Sequence, residues 1–241
     1  MPCYNEAKRL RLDLFSDCLQ ENQQIDFLFC NDGSTDNTQQ ILEAFKLQSP
    51  QRITLIQRQQ NSGKAEAVRT GMLHASLNEE YTFIGYWDAD LATPLTELPR
   101  LLLELANNLK KVAFSSRIKR MGANVERKEL RHYLGRIFST FSSIILKLPV
   151  YDSQCGAKVF HRETTTLFQK PFLSSWLFDV EILARFRNDF GIEHALLSIA
   201  EVPVENWQEI PGSKLKFSHY LRVPLDLWKI HREYNKKHKT K

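Results

Sequence analysis

The most constraining feature of this chain is the alternation of short apolar runs with helical patterns through its first half. The runs "IDFLFC" (25–30), "ITLIQ" (53–57), "YTFIGYW" (81–87) and "VAFSS" (112–116) read as buried strands. Leu10, Leu14, Phe15, Cys18 and Leu19 recur at helical spacing before the first of them. "NDGSTDNT" (31–38) is a turn-rich loop, with Thr35 or Asp36 placed to cap the helix that follows. "NSGKAEAVRTGMLHA" starts as a loop and becomes a helix, and "LTELPRLLLELANNL" is helical if Pro99 sits near its first turn. This rhythm predicts an α/β fold with a doubly wound, mainly parallel sheet and helices on both faces. Beyond residue 128 the pattern changes to a longer helix (129–147), a strand at Ala157–His161 and a helix around Phe178–Phe186.

In such sheets ligands bind beyond the carboxyl ends of the strands, so the loops at 31–38, 58–64, 88–94 and 115–127 should carry the chemistry. The 241 residues suffice for one sizeable domain or two small ones, and 42% apolar content supports a packed core. The simplest division is one domain over 1–213 with a basic extension over 214–241. That extension holds nine Lys/Arg against two acidic residues, a net +7, which leaves the remainder at −2. A basic tail can meet anionic lipid, nucleic acid or water; no nucleic-acid-binding module accompanies it, so nucleic acid is not expected as a partner. The four cysteines have no CxxC spacing, which argues against a zinc site or disulfide framework and fits a reducing compartment. No secretory leader or apolar run of about 18 residues is visible.

Asp88-Ala89-Asp90 ends a strand, where side chains at i and i+2 share a face. Two such carboxylates repel unless a cation lies near, and oxygen ligands suit Mg²⁺ or Mn²⁺; a helix-capping pair is the plainer alternative. Asp32, in Asn31-Asp32-Gly33-Ser34, stands where a carboxylate can accept from a base N–H or a ribose hydroxyl, and the same residues equally suit a simple turn. Gly63-Lys64 precedes a helix, where Lys64 can meet a phosphate. The stretch is no P-loop, since Arg58 and Ala65 stand where glycine and Ser/Thr are required, and no GxGxxG occurs.

Taken together, Pro2-x-Tyr4-Asn5-Glu6, Asn31 to Asp36, Asn61-x-Gly63-Lys64 and Asp88-Ala89-Asp90 resemble family 2 glycosyltransferases of the GT-A fold, over roughly residues 2–215. Ser116-Arg117, Arg127, Arg131, Asp152 to Lys158, Trp176 to Glu181, Val202 to Trp207 and Gly212-Ser213-Lys214 look like the dolichyl-phosphate β-glucosyltransferase branch, to which dolichyl-phosphate mannose synthases are close.

The resemblance implies an inverting transfer of a hexose, glucose foremost, from a UDP-sugar to a polyprenyl or dolichyl phosphate. It implies a Rossmann-like nucleotide half with Pro2, Tyr4, Glu6, Asp32, Lys64 and Asp88 around the nucleotide sugar. It places Mg²⁺ or Mn²⁺ on Asp90 with Asp88 close, and Arg117 and Arg131 on the acceptor phosphate. Asp152 and Asp179 would face the sugar hydroxyls or act as a base, although Asp179 equally suits a helix start. GDP-mannose as donor, a polysaccharide acceptor, and an inactive nucleotide-sugar-binding fragment are the alternatives.

Residues 217–234 place Tyr220, Leu221, Leu225 and Trp228 among basic groups, either as a membrane-surface segment or as an amphipathic helix packed on the body. Pro224 is expected to shorten that helix. The expected location is cytoplasmic, peripheral at the cytoplasmic face of a membrane. In the related fold an apolar strand precedes Pro-x-Tyr-Asn-Glu; only Met1 does so here, so the first strand is expected to be largely missing, as in a fragment or a misassigned start.

Overall fold

The computed structural model describes every residue except 107–108, 127–128, 211–216 and 236–241, and leaves out the side chains of 129–132 and 217–221. The predicted alternation is present as β1 (Pro2–Cys3), α1 (Leu12–Glu21), β2 (Phe27–Asp32), α2 (Thr38–Gln48), β3 (Ile53–Arg58), α3 (Lys64–Ala75), β4 (Phe83–Trp87), α4 (Leu98–Ala106) and β5 (Val112–Ser116). Then follow β6 (Asn124–Glu126), α5 (Glu129–Leu146), β7 (Ala157–His161), α6 (Phe178–Phe190), α7 (Ile192–Ser198), β8 (Ile199–Pro203), β9 (Asn206–Gln208) and α8 (Phe217–Tyr234).

One sheet has the order β1-β2-β3, all parallel. A second has the order β4-β7-β5-β8, in which β7 runs antiparallel to both neighbours and β5 pairs parallel with β8. β6 and β9 form a small parallel ribbon. β1 has two residues, and Met1 extends its pairing: the amino terminus donates to the Leu28 carbonyl at 2.8 Å, and the Met1 carbonyl accepts from Cys30 N.

The β2–β3 ladder runs to Asp32↔Arg58, two residues beyond the expected strand end. Asn31 and Asp32 are therefore strand residues, and the loop begins at Gly33. Gly33 has φ +67°, and a Cβ there would come within 2.6 Å of the Gln60 backbone, so the turn needs glycine.

Two apolar cores flank the sheets. Phe15 of α1, Phe27 and Phe29 of β2 and Phe45 of α2 fill the first, with edge-to-face ring pairs at 5.1 and 5.2 Å. Tyr86, Phe114, Phe160, Phe168 and Phe178 anchor the second, beneath α3, α5, α6 and α8. All four cysteines are buried thiols outside any disulfide.

α6 underlies both α5 and α8. Its buried Arg187 donates to the Ile145 and Leu146 carbonyls at the end of α5 and to the Tyr234 carbonyl at the end of α8, at 3.1, 2.7 and 2.7 Å. One guanidinium thus caps the negative ends of two helices and ties them together. Pro224 does not shorten α8: the helix continues through it. Leu227 and Ile230 pack into the core, while Leu225 and Trp228 stay exposed on the same helix.

Candidate active site

The chain folds its two N-terminal motifs onto each other. Asn5, at φ 50°, accepts from the backbone N–H groups of Thr35 and Asp36 at 2.8 and 3.4 Å, and Asn5 N donates to Ser34 Oγ. Glu6 N donates to Thr38 Oγ1 and Ala7 N to Asp36 Oδ2. The Asp36 carboxylate also takes the Thr38 N–H at the start of α2; the N-cap of that helix is Asn37, without a side-chain cap bond, so neither Thr35 nor Asp36 occupies the cap position.

Asp32 lines the cavity described below, but its carboxylate serves the chain. It accepts from Arg58 at 3.0 Å, Ser62 N at 3.1 Å and Gly63 N at 2.8 Å, and so shapes the 61–63 turn ahead of Lys64.

Asp88 and Asp90 follow β4, and each meets a cation of the chain. Lys64 Nζ lies 2.5 Å from Asp88 Oδ1, and Arg9 Nη1 lies 3.4 Å from Asp90 Oδ2. Burial, followed by the neighbouring Asp88 charge, raises the Asp90 carboxyl above the usual aspartate range. Burial alone would lower the Lys64 ammonium, but Asp88, Asp179 and Asp90 outweigh it and the net shift is upward. Leu91, directly after Asp90, has φ 53°, a strained value for a branched side chain that turns the backbone just past the carboxylate pair. A Cβ at Gly156 would overlap the Asp88 carboxylate, so glycine there keeps the space that the acid occupies.

Glu6 lines the same cavity. It is buried, and Arg9 holds both of its oxygens, Nε at 2.8 Å and Nη2 at 2.6 Å. Pro2 and Tyr4 line the cavity beside it.

Across the cavity, Arg117 grips Asp152. Nε and Nη2 donate to the two carboxylate oxygens at 2.6 and 2.8 Å, and Arg117 N adds a third bond at 3.0 Å. The Trp207 ring lies 5.5 Å from the guanidinium carbon. Glu201 of β8 fixes the same loop from behind by accepting Tyr151 N and Asp152 N at 2.7 and 2.6 Å. Asp179, in the first turn of α6, accepts from Tyr86 Oη at 2.5 Å and pairs with Lys158 Nζ at 3.1 Å. The side chain of Arg131 and all of Arg127 lie outside the described residues.

One cavity of about 1100 Å³ joins these groups. Pro2, Tyr4, Glu6, Asp32, Lys64, Asp88, Asp90, Arg117, Asp152 and Asp179 all line it. It continues into an apolar groove between Ile137, Phe138 and Phe141 of α5 and Val223, Leu227 and Trp228 of α8. The sequence reading missed Arg9 and Glu201, which belong to no motif it singled out, and it met Lys158 only as the last residue of the Asp152 to Lys158 stretch, with no role. It also missed the α5 side of the groove, although apolar residues at 134, 137, 138, 141 and 145 keep helical spacing and were visible as such.

Residues 1–168 match the family "Glycosyl transferase family 2". A dolichyl-phosphate beta-glucosyltransferase of Trichomonas vaginalis is 34% identical over 95% of this chain and 69% of its own length. That of Dictyostelium discoideum is 32% identical over 97% of this chain and 73% of its own. Among solved structures, mannosyl-3-phosphoglycerate synthase from Rubrobacter xylanophilus superposes with a TM-score of 0.68 at 15% identity, covering 100% of this chain and 75% of that one. Glucosyl-3-phosphoglycerate synthase from Mycobacterium tuberculosis, solved with Mn²⁺ and UDP, gives 0.65 at 18% identity, covering 97% and 77%. These two show a shared GT-A-like fold. The chain belongs to glycosyltransferase family 2 and is a glycosyltransferase similar to the dolichyl-phosphate β-glucosyltransferases.

Proposed function

We propose that this chain transfers glucose, with inversion, from UDP-glucose to a polyprenyl or dolichyl phosphate. The observation that carries this reading is the single cavity that joins a charged end, lined by Lys64, Asp88, Asp90 and Arg117, to the apolar groove between α5 and α8. A sugar nucleotide matches the first part and an isoprenoid chain the second. The 34% and 32% identities to dolichyl-phosphate β-glucosyltransferases support the same donor and acceptor.

Asp90, with Asp88 beside it, fits a hard divalent cation, Mg²⁺ or Mn²⁺. Its donors are carboxylate oxygens, burial first and the Asp88 charge second raise the Asp90 carboxyl, and Gly156 leaves room for that of Asp88. Such an ion supplies Lewis-acid neutralisation of the departing diphosphate. Lys64, at the amino end of α3, adds a positive charge and that helix's dipole to the same end of the cavity. Asp32 orders the backbone of the 61–63 turn against the nucleotide.

The acceptor is its own nucleophile. A phosphate monoester has a second pKa of about 6 and is largely dianionic at neutral pH. One of its oxygens bonds to C1 of glucose on the face opposite UDP, while the C1–O bond to UDP breaks and its electron pair leaves with UDP. Arg117 and Arg131 orient that phosphate. Asp152 and Asp179 are each held by a cation and suit orienting roles, Asp152 through Arg117 and Asp179 toward the sugar hydroxyls. The exposed apolar residues Tyr133, Ile137, Phe141 and Ile144 of α5 and Leu225 and Trp228 of α8, with Arg222, Lys229 and Arg232 nearby, would rest on an anionic membrane surface. No helix among the described residues is long and apolar enough to cross a membrane.

Purified protein assayed with UDP-glucose or GDP-mannose, a polyprenyl phosphate and Mg²⁺ or Mn²⁺ tests the proposal. Glucosyl lipid formed from UDP-glucose is expected. Transfer from GDP-mannose alone, or no lipid product from either donor, would overturn it.

A further inference from the structure

The lysine and arginine side chains that line the cavity, among the described residues, are Arg9, Lys64, Arg117 and Arg136. Carboxylates match the first three: Glu6 lies 2.6 Å from Arg9, Asp88 2.5 Å from Lys64 and Asp152 2.6 Å from Arg117. Arg136, in α5, differs. Its side-chain partner among the described residues is an aromatic ring, with the guanidinium carbon 4.0 Å from the centre of Tyr151. That ring belongs to a backbone fixed from two sides. Glu201 of β8 accepts from Tyr151 N at 2.7 Å, and Ser139 of α5 donates to the Tyr151 carbonyl.

The place of Arg136 is as telling as its pairing. Tyr151 directly precedes Asp152, which Arg117 grips, and Arg136 directly precedes Ile137 and Phe138 of the apolar groove. Arg136 therefore stands where the charged end of the cavity meets the groove. A guanidinium lying over a ring keeps its N–H donors, which lie in its own plane, for another ligand. Arg117, by contrast, has Nε and Nη2 engaged by Asp152. An isoprenoid lying between α5 and α8 carries its phosphate at one end, and at this junction the phosphate meets a cation that no carboxylate has to release. We propose that Arg136, held on the Tyr151 ring, binds the acceptor phosphate and so fixes where the isoprenoid head stops along the groove. This rests on the lipid-phosphate reading above and adds to it a residue that no motif marks.

Initial rates with UDP-glucose and a polyprenyl phosphate in neutral detergent micelles test it, with thermal unfolding as the check that each variant is folded. Arg136→Gln should raise the acceptor KM by about tenfold, the lower end for a charge-assisted pair because the side chain is exposed. The UDP-glucose KM and the unfolding temperature should not change. Arg136→Lys keeps the charge and loses the fork, so it should recover part of the loss. Tyr151→Leu, which removes the ring, should raise the acceptor KM less than Arg136→Gln does, and Tyr151→Phe should leave it unchanged. The pH profile separates this role from a structural one. The phosphate's second pKa is about 6, so the gap in acceptor kcat/KM between the unaltered protein and Arg136→Gln should narrow as pH falls from 7.5 to 5.5. An unchanged acceptor KM in Arg136→Gln, or an equal loss at every pH, overturns the inference alone. So does a loss seen only in vesicles of anionic lipid and not in neutral micelles, which would make Arg136 a contact to the membrane headgroups. No transfer to polyprenyl phosphate by the unaltered protein overturns the lipid-phosphate reading and this inference together.

Discussion

Lys158 Nζ lies 3.1 Å from Asp179 Oδ1, with both side chains buried. The ammonium also donates to the Ser153 and Cys155 carbonyls at 2.8 and 2.6 Å, so its three protons meet three acceptors. This one side chain therefore ties the Asp152 loop to the start of α6, the two places from which the cavity takes its second pair of carboxylates. Lys158→Met should cost about 3–5 kcal/mol, because Asp179 is left as an unpaired buried charge. Lys158→Met/Asp179→Asn should recover part of that loss. Urea denaturation measures both, and equal stability of Lys158→Met and the unaltered chain would show that the pair is not ionised.

Asp90→Ala should abolish metal-dependent transfer and leave the fold intact, since the carboxylate supports no core packing. A loss of several kcal/mol of charge stabilisation corresponds to about 10³-fold in rate or more. Glucosyl transfer with EDTA present is the check: normal turnover by Asp90→Ala under those conditions would contradict the metal role.

The two arginines should separate in kinetics. Arg117→Ala removes a bidentate partner and frees the Asp152 loop, so kcat should fall and the acceptor KM rise. Arg131→Ala should raise the acceptor KM or lower kcat, with the UDP-glucose KM unchanged. Initial rates at varied donor and acceptor test both, and a selective loss of nucleotide affinity in Arg131→Ala would contradict its assignment.

Asp36 gives a pH prediction. Burial alone raises its carboxyl, but hydrogen bonds from Thr38 and Ala7 outweigh this and hold it below the ordinary 3.8. A depressed folded pKa means that the contribution to stability is complete above the unfolded value and is lost as pH falls through the folded one. The protein should therefore lose stability below about pH 4, and Asp36→Asn should flatten that part of the curve. Thermal unfolding between pH 3 and 6 measures it; an identical acid limb in Asp36→Asn would show that these hydrogen bonds contribute nothing.

Much of this was legible in the residues. Long periodic segments and turn-rich loops gave the β/α alternation, because burial on one or two faces writes itself as period. β6, β8, β9 and α7 were missed: they are short, and the pairing of β8 with β5 and of β9 with β6 depends on distant chain that no local window contains. α8 was expected to break at Pro224, yet packing of Leu227 and Ile230 outweighs the lost backbone hydrogen bond. In the site, the motif carboxylates were visible by type and spacing. Their partners Arg9 and Glu201 were not, since each looks like an ordinary surface charge until the fold sets it beside a carboxylate or a loop, and Lys158 was visible as a motif residue but not as the partner of Asp179.

The central claim is that one cavity serves a sugar nucleotide at its charged end and an isoprenoid chain at its apolar end. Initial rates with UDP-glucose and a series of isoprenyl phosphates of increasing length test it most directly. The account predicts that kcat/KM rises with chain length until the α5–α8 groove is filled, and that Phe141→Asp removes this dependence. Equal use of a short alkyl phosphate and a long polyprenyl phosphate by the unaltered protein would contradict it.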